Sequence, residues 1–201
     1  MKAVISFIAI VAVLGSCSTG RNALSPEEYV AWYRSESYPY RDTVVKNGVV
    51  YVLEGIPAGL DLSRQFRAGK ITAGELKTAS EEDKDAGLSF ELTIILPHSG
   101  TDIYSFASGN TSENIDRHHY FAFDMKNDLR AVGKTGDSLA CGFFLQERLI
   151  GNFPKARFSF DFGRNIPKEV VFNDRIFSGQ PVLFTLSNHQ PLPGLKTRSI
   201  Q

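Results

Sequence analysis

The sequence predicts a mainly β fold, an antiparallel β-sandwich with an N-terminal helix and a short helical insertion. Beyond residue 87, apolar and polar residues alternate with period two through several short segments, as in strands that bury one face. Gly, Pro, Asn and Asp separate these segments at short intervals, which is typical of antiparallel sheets. Thirteen of the fifteen phenylalanines lie at or beyond Phe90, so we expect the main core there.

Length and composition are those of a single folded domain. The chain has 201 residues, of which 42% are hydrophobic and 11% aromatic, enough to form one core. Lys and Arg number 22 together, as do Asp and Glu, so no net charge attracts nucleic acid or acidic lipid. We therefore expect no nucleic-acid partner.

The N-terminus has the features of an export signal. Lys2 precedes an uncharged apolar run over residues 3–15, which is too short to cross a membrane as a helix but suits a signal peptide. The run ends in Leu-Gly-Ser before Cys17, and these four residues resemble a bacterial lipobox, in which the cysteine is acylated after cleavage. An ordinary signal peptide with a coincidental cysteine is the alternative.

Acylation at Cys17 predicts where the protein lies. Each buried methylene contributes about 0.8 kcal/mol, so several acyl chains on one residue hold a protein on a bilayer. Ser18 follows the cysteine, where Asp would signal a different destination, and this favours the outer membrane, facing the periplasm. We predict a lipoprotein signal peptide over residues 1–16, a tether over residues 17–24 and a single β-rich domain over residues 25–201.

A helix is predicted directly after the tether. Ser25 followed by Glu28 three residues later is typical of a capping box. Tyr29, Trp32 and Tyr33 then recur at helical spacing, and we interpret this aromatic stripe as a packing face.

A hairpin and a helical insertion follow. Asn47-Gly48 between β-branched runs predicts the two-residue turn of a β-hairpin over residues 43–57. Residues 61–85 are polar and rich in helix formers, and they predict two short helices, the second capped by Thr72.

The second half is predicted to consist of strands, for a total of about eight or nine. Phe90, Leu92, Ile94 and Leu96 alternate with polar residues and therefore share one face. The same alternation marks residues 129–132, 139–147, 156–163, 169–173 and 181–188.

Residues 131–148 contain two motifs that resemble enzyme signatures. Gly133-Lys134-Thr135 resembles the end of a phosphate-binding loop, but Asp128 stands where that loop requires glycine, which excludes it. The sequence Gly-Asp-Ser-Leu around Ser138 spells the nucleophile block of the GDSL esterases. A strand pattern replaces the helix expected after the serine, and no Asp-x-x-His follows. We interpret residues 135–137 as a turn and Ser138 as exposed; an ester hydrolase that uses Ser138 is the alternative.

The cysteine and histidine residues do not indicate a catalytic or metal-binding site. Cys141 alternates with Leu139, Phe143 and Leu145, so we expect a buried and inert thiol on an apolar face. His118 and His119, taken as part of a strand, would point to opposite sides and could not bind one ion. We therefore predict no catalytic residue, no metal site and no cofactor.

Three short motifs together resemble a group of uncharacterised lipoproteins from Bacteroidota. They are LSPEEYVAW at residues 24–32, DSLAC at residues 137–141 and Glu147-Arg148. The resemblance implies export and lipidation, and it implies no activity, substrate or catalytic residue. In that group, Asp followed by Ser or Thr and a small or aliphatic residue resembles an O-glycosylation acceptor, which Thr43 and Ser138 match.

These features together predict a membrane-tethered envelope domain that binds or scaffolds an envelope protein or glycan without catalysing a reaction. Two alternatives remain. The first is the tethered hydrolase with Ser138. The second is a carbohydrate-binding module, which would need a row of exposed aromatic rings, whereas Trp32 is the only tryptophan and belongs to the predicted helix.

Overall fold

The computed structural model confirms the predicted fold class, which is mainly β with antiparallel sheets and a minority of helix. It describes residues 23–82, 87–97, 102–106, 116–147, 154–164, 166–186 and 192–197. The predicted signal peptide, Cys17 and most of the tether lie outside these residues.

The described part of the chain contains eleven strands, three α-helices and a further helical turn over residues 116–119. The strands are β1 (Ala23–Leu24), β2 (Arg41–Lys46), β3 (Val49–Pro57), β4 (Leu88–Ile95), β5 (Leu129–Val132), β6 (Ser138–Ala140), β7 (Phe144–Glu147), β8 (Lys155–Asp161), β9 (Glu169–Asn173), β10 (Pro181–Thr185) and β11 (Gly194–Leu195). The helices are α1 (Pro26–Arg34), α2 (Ala58–Arg67) and α3 (Ala73–Glu82). A π-helical turn (Tyr120–Asp124) leads into a 3-10 turn (Met125–Asp128).

Two antiparallel sheets form the sandwich. The five-stranded sheet has the order β2-β3-β4-β8-β7, and the four-stranded sheet has the order β10-β9-β5-β6. Tyr51 of β3 packs against Phe172 of β9, with ring centroids 6.3 Å apart, so the two inner faces meet in one core. A short parallel pair, β1 with β11, joins the two ends of the described chain.

The two sheets are also joined along their edges. On one side, the Lys46 ammonium donates to the Pro181 carbonyl, and the Asp42 carboxylate accepts the Thr185 N–H at 2.9 Å, which connects β2 to β10. On the other side, the chain passes directly from β6 in one sheet to β7 in the other through residues 141–143.

Helix α1 begins as its sequence predicts. The Ser25 hydroxyl accepts the Glu28 N–H at 3.3 Å, while the Glu28 carboxylate accepts the Ser25 N–H at 2.8 Å. These bonds satisfy two donors that a helix start leaves free. Tyr29 and Tyr33 are buried and Trp32 is partly buried against the core, so the aromatic stripe is a packing face.

The hairpin and the helical insertion are also confirmed. Asn47 and Gly48 have φ angles of 50° and 80°, which a type I′ turn requires and which glycine adopts without strain. Thr72 caps α3 through a reciprocal pair of bonds with Glu75. The insertion starts three residues before the predicted position, because α2 begins at Ala58, directly after β3.

The core extends further toward the N-terminus than the phenylalanine distribution indicates. The strands β4 and β8 contribute as predicted, and Phe90 stacks on Phe160 with centroids 5.9 Å apart. Tyr38, Tyr40 and Tyr51 are also almost fully buried, so tyrosines fill the N-terminal part of the core. Tyrosine buries a large ring while its hydroxyl finds a partner, and phenylalanine counts alone miss this contribution.

Candidate functional site

Ser138 is the first residue of β6 and follows a tight turn, as predicted. The Gly133 N–H donates to the Asp137 carbonyl at 2.8 Å, and Gly136 has a φ of 86°. Ser138 pairs with Val132 across the ladder and is exposed. Within the described ranges, no hydrogen bond to the Ser138 hydroxyl is present.

The two histidines lie on helical turns, and the strand predicted for them is wrong. His118 stacks on Tyr104 with ring centroids 3.6 Å apart, while His119 Nδ1 lies 3.1 Å from an Asp124 carboxylate oxygen. Helical turns form here because Phe121 and Met125, four residues apart, are both fully buried. Their spacing was the sequence signal for a helix, and the alternating residues around the histidines obscured it.

No group of three or more His, Cys, Asp or Glu side chains that could hold a metal ion occurs among the residues that the structure describes. The exposed pair of His119 and Asp124 supplies only two such groups, and a stable site needs three or four.

Cys141 lies at the corner between the two sheets and is half-buried, so the predicted full burial is wrong. Its thiol donates to the Phe143 carbonyl, with the sulfur 3.1 Å from the oxygen. The pKa of the thiol is raised to about 11, chiefly by burial and also by the Asp161 carboxylate, while Lys126 opposes the shift. An inert thiol at neutral pH follows from this raised pKa.

The single strand predicted over residues 139–147 is wrong, because this segment divides between two sheets. At the corner, the Gly142 N–H donates to the Asp161 carbonyl at 3.0 Å, and Phe143 accepts from Asp161 at 3.3 Å. The corner shifts the alternation by one residue, so Phe144 faces inward and stacks on Phe158. Leu145, predicted to share the buried face, is therefore exposed.

Three large apolar side chains are exposed on or beside the β7 edge of the five-stranded sheet. Phe143 and Leu145 are 53% and 56% exposed. Phe123, which is 62% exposed, belongs to the π-helical turn that packs beside β7. We call these three residues the apolar edge. Large apolar side chains grouped on a surface are typical of interaction sites.

A row of charges crosses the outer face of the same sheet. Arg41 pairs with Glu54, Glu54 lies directly opposite Glu91 in the ladder, and Arg157 contacts both Glu91 and Glu147 at 3.0 Å. Burial raises the pKa of Glu91; Arg157 opposes this shift, while Glu54 and Glu147 add to it. Sequence analysis missed this row, although Glu91 and Arg157 occupy outward positions of predicted strands. Its paired charges make it a cross-strand ion network.

Two buried aspartates organise the loop after β9. Asp174 accepts hydrogen bonds from the Tyr51 hydroxyl at 2.7 Å and from the backbone N–H groups of Ile176, Phe177 and Ser178. Burial alone would raise its pKa, but these bonds, with one from the Ser178 hydroxyl, lower the pKa overall. The carboxylate is therefore a structural acceptor with its positions filled.

The second buried aspartate is Asp128. It accepts from the Tyr120 hydroxyl at 2.9 Å and from the Arg175 guanidinium at 2.5 Å. The burial of Asp128 and Asp174 was not predicted from the sequence, because Arg175 and Tyr51, which donate to them, lie far away in the chain.

Both predicted glycan acceptors are exposed. Thr43 lies on β2, where its N–H donates to the Asp42 carboxylate at 2.7 Å, and Ser138 lies at the start of β6. Their accessibility is compatible with modification, which stays a prediction.

No protein-family model, no curated protein and no solved structure matches the chain. Among the described residues, no helix is both long enough and apolar enough to span a membrane.

Proposed function

We propose that the protein is an envelope lipoprotein, anchored in the outer membrane by an acylated Cys17 and facing the periplasm, whose folded domain binds or scaffolds another envelope component. The anchor is inferred from the lipobox-like sequence that ends at Cys17. The resemblance to Bacteroidota lipoproteins supports the same assignment.

The observation that carries the binding role is the apolar edge. Phe123, Phe143 and Leu145 keep more than half of their surface in contact with water, although burial of such side chains contributes about 1.5–3 kcal/mol each. A partner that covers them removes this unfavourable exposure. Binding of this kind requires only an exposed apolar surface and no catalytic residue.

Anchoring is tested by replacing the acylated residue. Cys17→Ala removes the thiol that carries the acyl chains, so we expect the protein to leave the membrane fraction. Mass spectrometry of the wild-type membrane fraction should find a lipid-modified N-terminus and no peptide from residues 1–16. Equal membrane binding of the variant and the wild type would contradict the anchor.

Binding is tested by site-specific photo-crosslinking in native membranes. A photoreactive residue placed at Leu145 should capture an envelope component. The matched control is Val45, which is similarly exposed at 62% but lies on β2, at the opposite edge of the sheet. Capture of nothing from position 145, or of the same products from both positions, would contradict a binding role for the apolar edge.

A further inference from the structure

The last described strand pairs with the first, at the point where the tether enters the domain. Strand β11 lies parallel to β1, and the Lys196 N–H extends the pair by donating to the Leu24 carbonyl at 2.7 Å. Lys196 is exposed. Its ammonium adds to the lowering of the Glu28 pKa, which the hydrogen bond from the Ser25 N–H chiefly causes. Lys196 therefore lies beside the start of α1.

This strand pair lies at the end of the five-stranded sheet that is opposite the hairpin turn. The C-terminus of α1 is held at the start of β2, where the Arg41 guanidinium donates to the Tyr33 and Ser35 carbonyls at 3.3 and 3.5 Å. The Tyr29 ring of α1 packs against Gly59, in the first turn of α2, which follows the end of β3. Strand β1 directly precedes α1 and lies at the same end. Because β3 is nine residues long, the hairpin turn is about 30 Å away.

The tether limits how far this end of the domain can move from the membrane. With Cys17 acylated, as proposed above, the chain advances six residues from the anchor to Ala23. Six residues span at most about 20 Å in any conformation. A domain that turned its β1–β11 end away from the bilayer would need a tether longer than its own strands. The anchor therefore keeps the β1–β11 end next to the bilayer.

The sequence on both sides of this strand pair is basic. The tether and the whole segment after residue 174 contain no Asp or Glu. Arg21 precedes β1 by two residues and Arg198 follows β11 by three, so the chain keeps each within about 10 Å of the strand pair. The nearest acidic residues in the sequence, Glu27 and Glu28, lie in the first turn of α1, where the free N–H groups of the helix offset part of their charge.

We propose that the β1–β11 end docks on anionic lipid headgroups of the membrane that holds the anchor, through Lys196, Arg21 and Arg198. The inference rests on the proposed function, because the acyl anchor brings this end to the bilayer. Each cation close to an anionic membrane surface changes the ratio of docked to undocked molecules about fivefold. The cations thus orient a domain that the acyl chains alone leave free to tilt, and the hairpin turn points away from the membrane.

Energy transfer from the single tryptophan to a membrane dye measures this docking. Trp32 lies on α1, at the docking end of the domain. The mature lipoprotein is reconstituted into vesicles of phosphatidylcholine, or of equal parts phosphatidylcholine and phosphatidylglycerol, each with a dansyl-labelled lipid. We expect more transfer on the vesicles that contain phosphatidylglycerol. This excess should disappear at high salt, because salt screens the attraction between exposed charges.

Charge removal identifies the residues that dock. The double variant Lys196→Gln/Arg198→Gln should lower the ratio of docked to undocked molecules about 25-fold and remove most of the excess transfer. Lys155→Gln is the matched control and should leave the excess unchanged, because Lys155 is exposed opposite Ile95, at the hairpin end of the sheet. Urea unfolding establishes that both variants are folded.

Flotation of the vesicles separates this inference from the proposed anchor. Wild-type protein that fails to float with the phosphatidylcholine vesicles contradicts the acyl anchor, and the inference with it. Protein that floats with both kinds of vesicle but shows equal energy transfer on them overturns the inference alone. The same holds if Lys155→Gln loses as much of the excess transfer as the double variant does.

Discussion

At the scale of single residues, Asp174 is held by more donors than any other acid in the described part of the chain. The residue is only 2% exposed, yet its carboxylate receives hydrogen bonds from the Tyr51 hydroxyl, from the Ser178 hydroxyl and from three backbone N–H groups. These bonds exceed the cost of burial, because each hydrogen bond to a charged group contributes about 1.5–3 kcal/mol.

Asp174→Asn should therefore destabilise the fold. The amide presents N–H groups to donors that need an acceptor, so we expect the free energy of unfolding to fall by about 2–4 kcal/mol at pH 7. Urea unfolding measures this change. Asp124→Asn, at an exposed carboxylate, is the control and should stay within about 0.5 kcal/mol of the wild type.

The stabilities of the wild type and of Asp174→Asn should depend differently on pH. The pKa of Asp174 is lowered in the folded state, so its contribution is fully present above the ordinary aspartate pKa and is lost as pH falls through the lowered value. The gap in stability between wild type and Asp174→Asn should narrow over that acidic range. A gap that is constant from pH 7 into this range would show that the carboxylate is not the stabilising species.

Cys141 should react slowly with thiol reagents in the folded state. A pKa of about 11, against an ordinary 9, leaves roughly 100-fold less thiolate at pH 8, and half-burial slows access further. The native rate should rise with pH up to about 11. The denatured chain serves as the reference, and equal native and denatured rates at pH 8 would contradict the raised pKa.

At the scale of elements, the short helices depend on their caps. Helices of nine or ten residues, such as α1 and α3, are marginal alone, and their first turns leave N–H groups without partners. Ser25 and Thr72 supply side-chain acceptors at these positions.

Ser25→Ala and Thr72→Ala should each lower the free energy of unfolding by about 1 kcal/mol, because each removes a helix cap. Chemical denaturation measures both. Ser138→Ala is the matched control, since this exposed serine caps no helix, and it should change stability by no more than about 0.5 kcal/mol. An equally large loss at Ser138 would mean that its side chain supports the turn.

At the scale of the whole molecule, Phe121 connects parts of the sandwich that are distant in sequence. It is fully buried between Phe158 of β8 and Phe177 in the loop after β9, with centroids 5.4 Å and 6.0 Å away. The helical turns that carry it thus fill the interior near β7.

Phe121→Ala should destabilise the protein by about 3–5 kcal/mol, since it leaves a cavity that neighbouring rings cannot fill. Phe123→Ala, two residues away and largely exposed, should change stability by about 0.5 kcal/mol or less. Thermal or urea unfolding compares them directly. Similar losses for both variants would contradict the assignment of Phe121 to the core.

Sequence patterns correctly predicted the elements that depend on interactions between residues close together in the chain. The Asn47-Gly48 turn, the Ser25 cap and the alternation around Phe90 depend on residues within a few positions, and each is present in the structure. Of the candidate site, the sequence predicted the turn before Ser138 for the same reason. The prediction of which side chains are buried failed at the corner formed by residues 141–143, because an alternating pattern does not show where the chain passes from one sheet to another.

The sequence by itself therefore determined the fold class, the caps, the turns and an N-terminus typical of lipidation. The tertiary structure alone decided that residues 139–147 divide between two sheets, that Phe143 and Leu145 reach solvent, and that Asp174 meets Tyr51 from 123 positions away. The physical reason is how far apart in the chain the interacting residues lie. Turn and cap energies arise between neighbours in the chain, whereas burial and edge pairing depend on which distant segments meet.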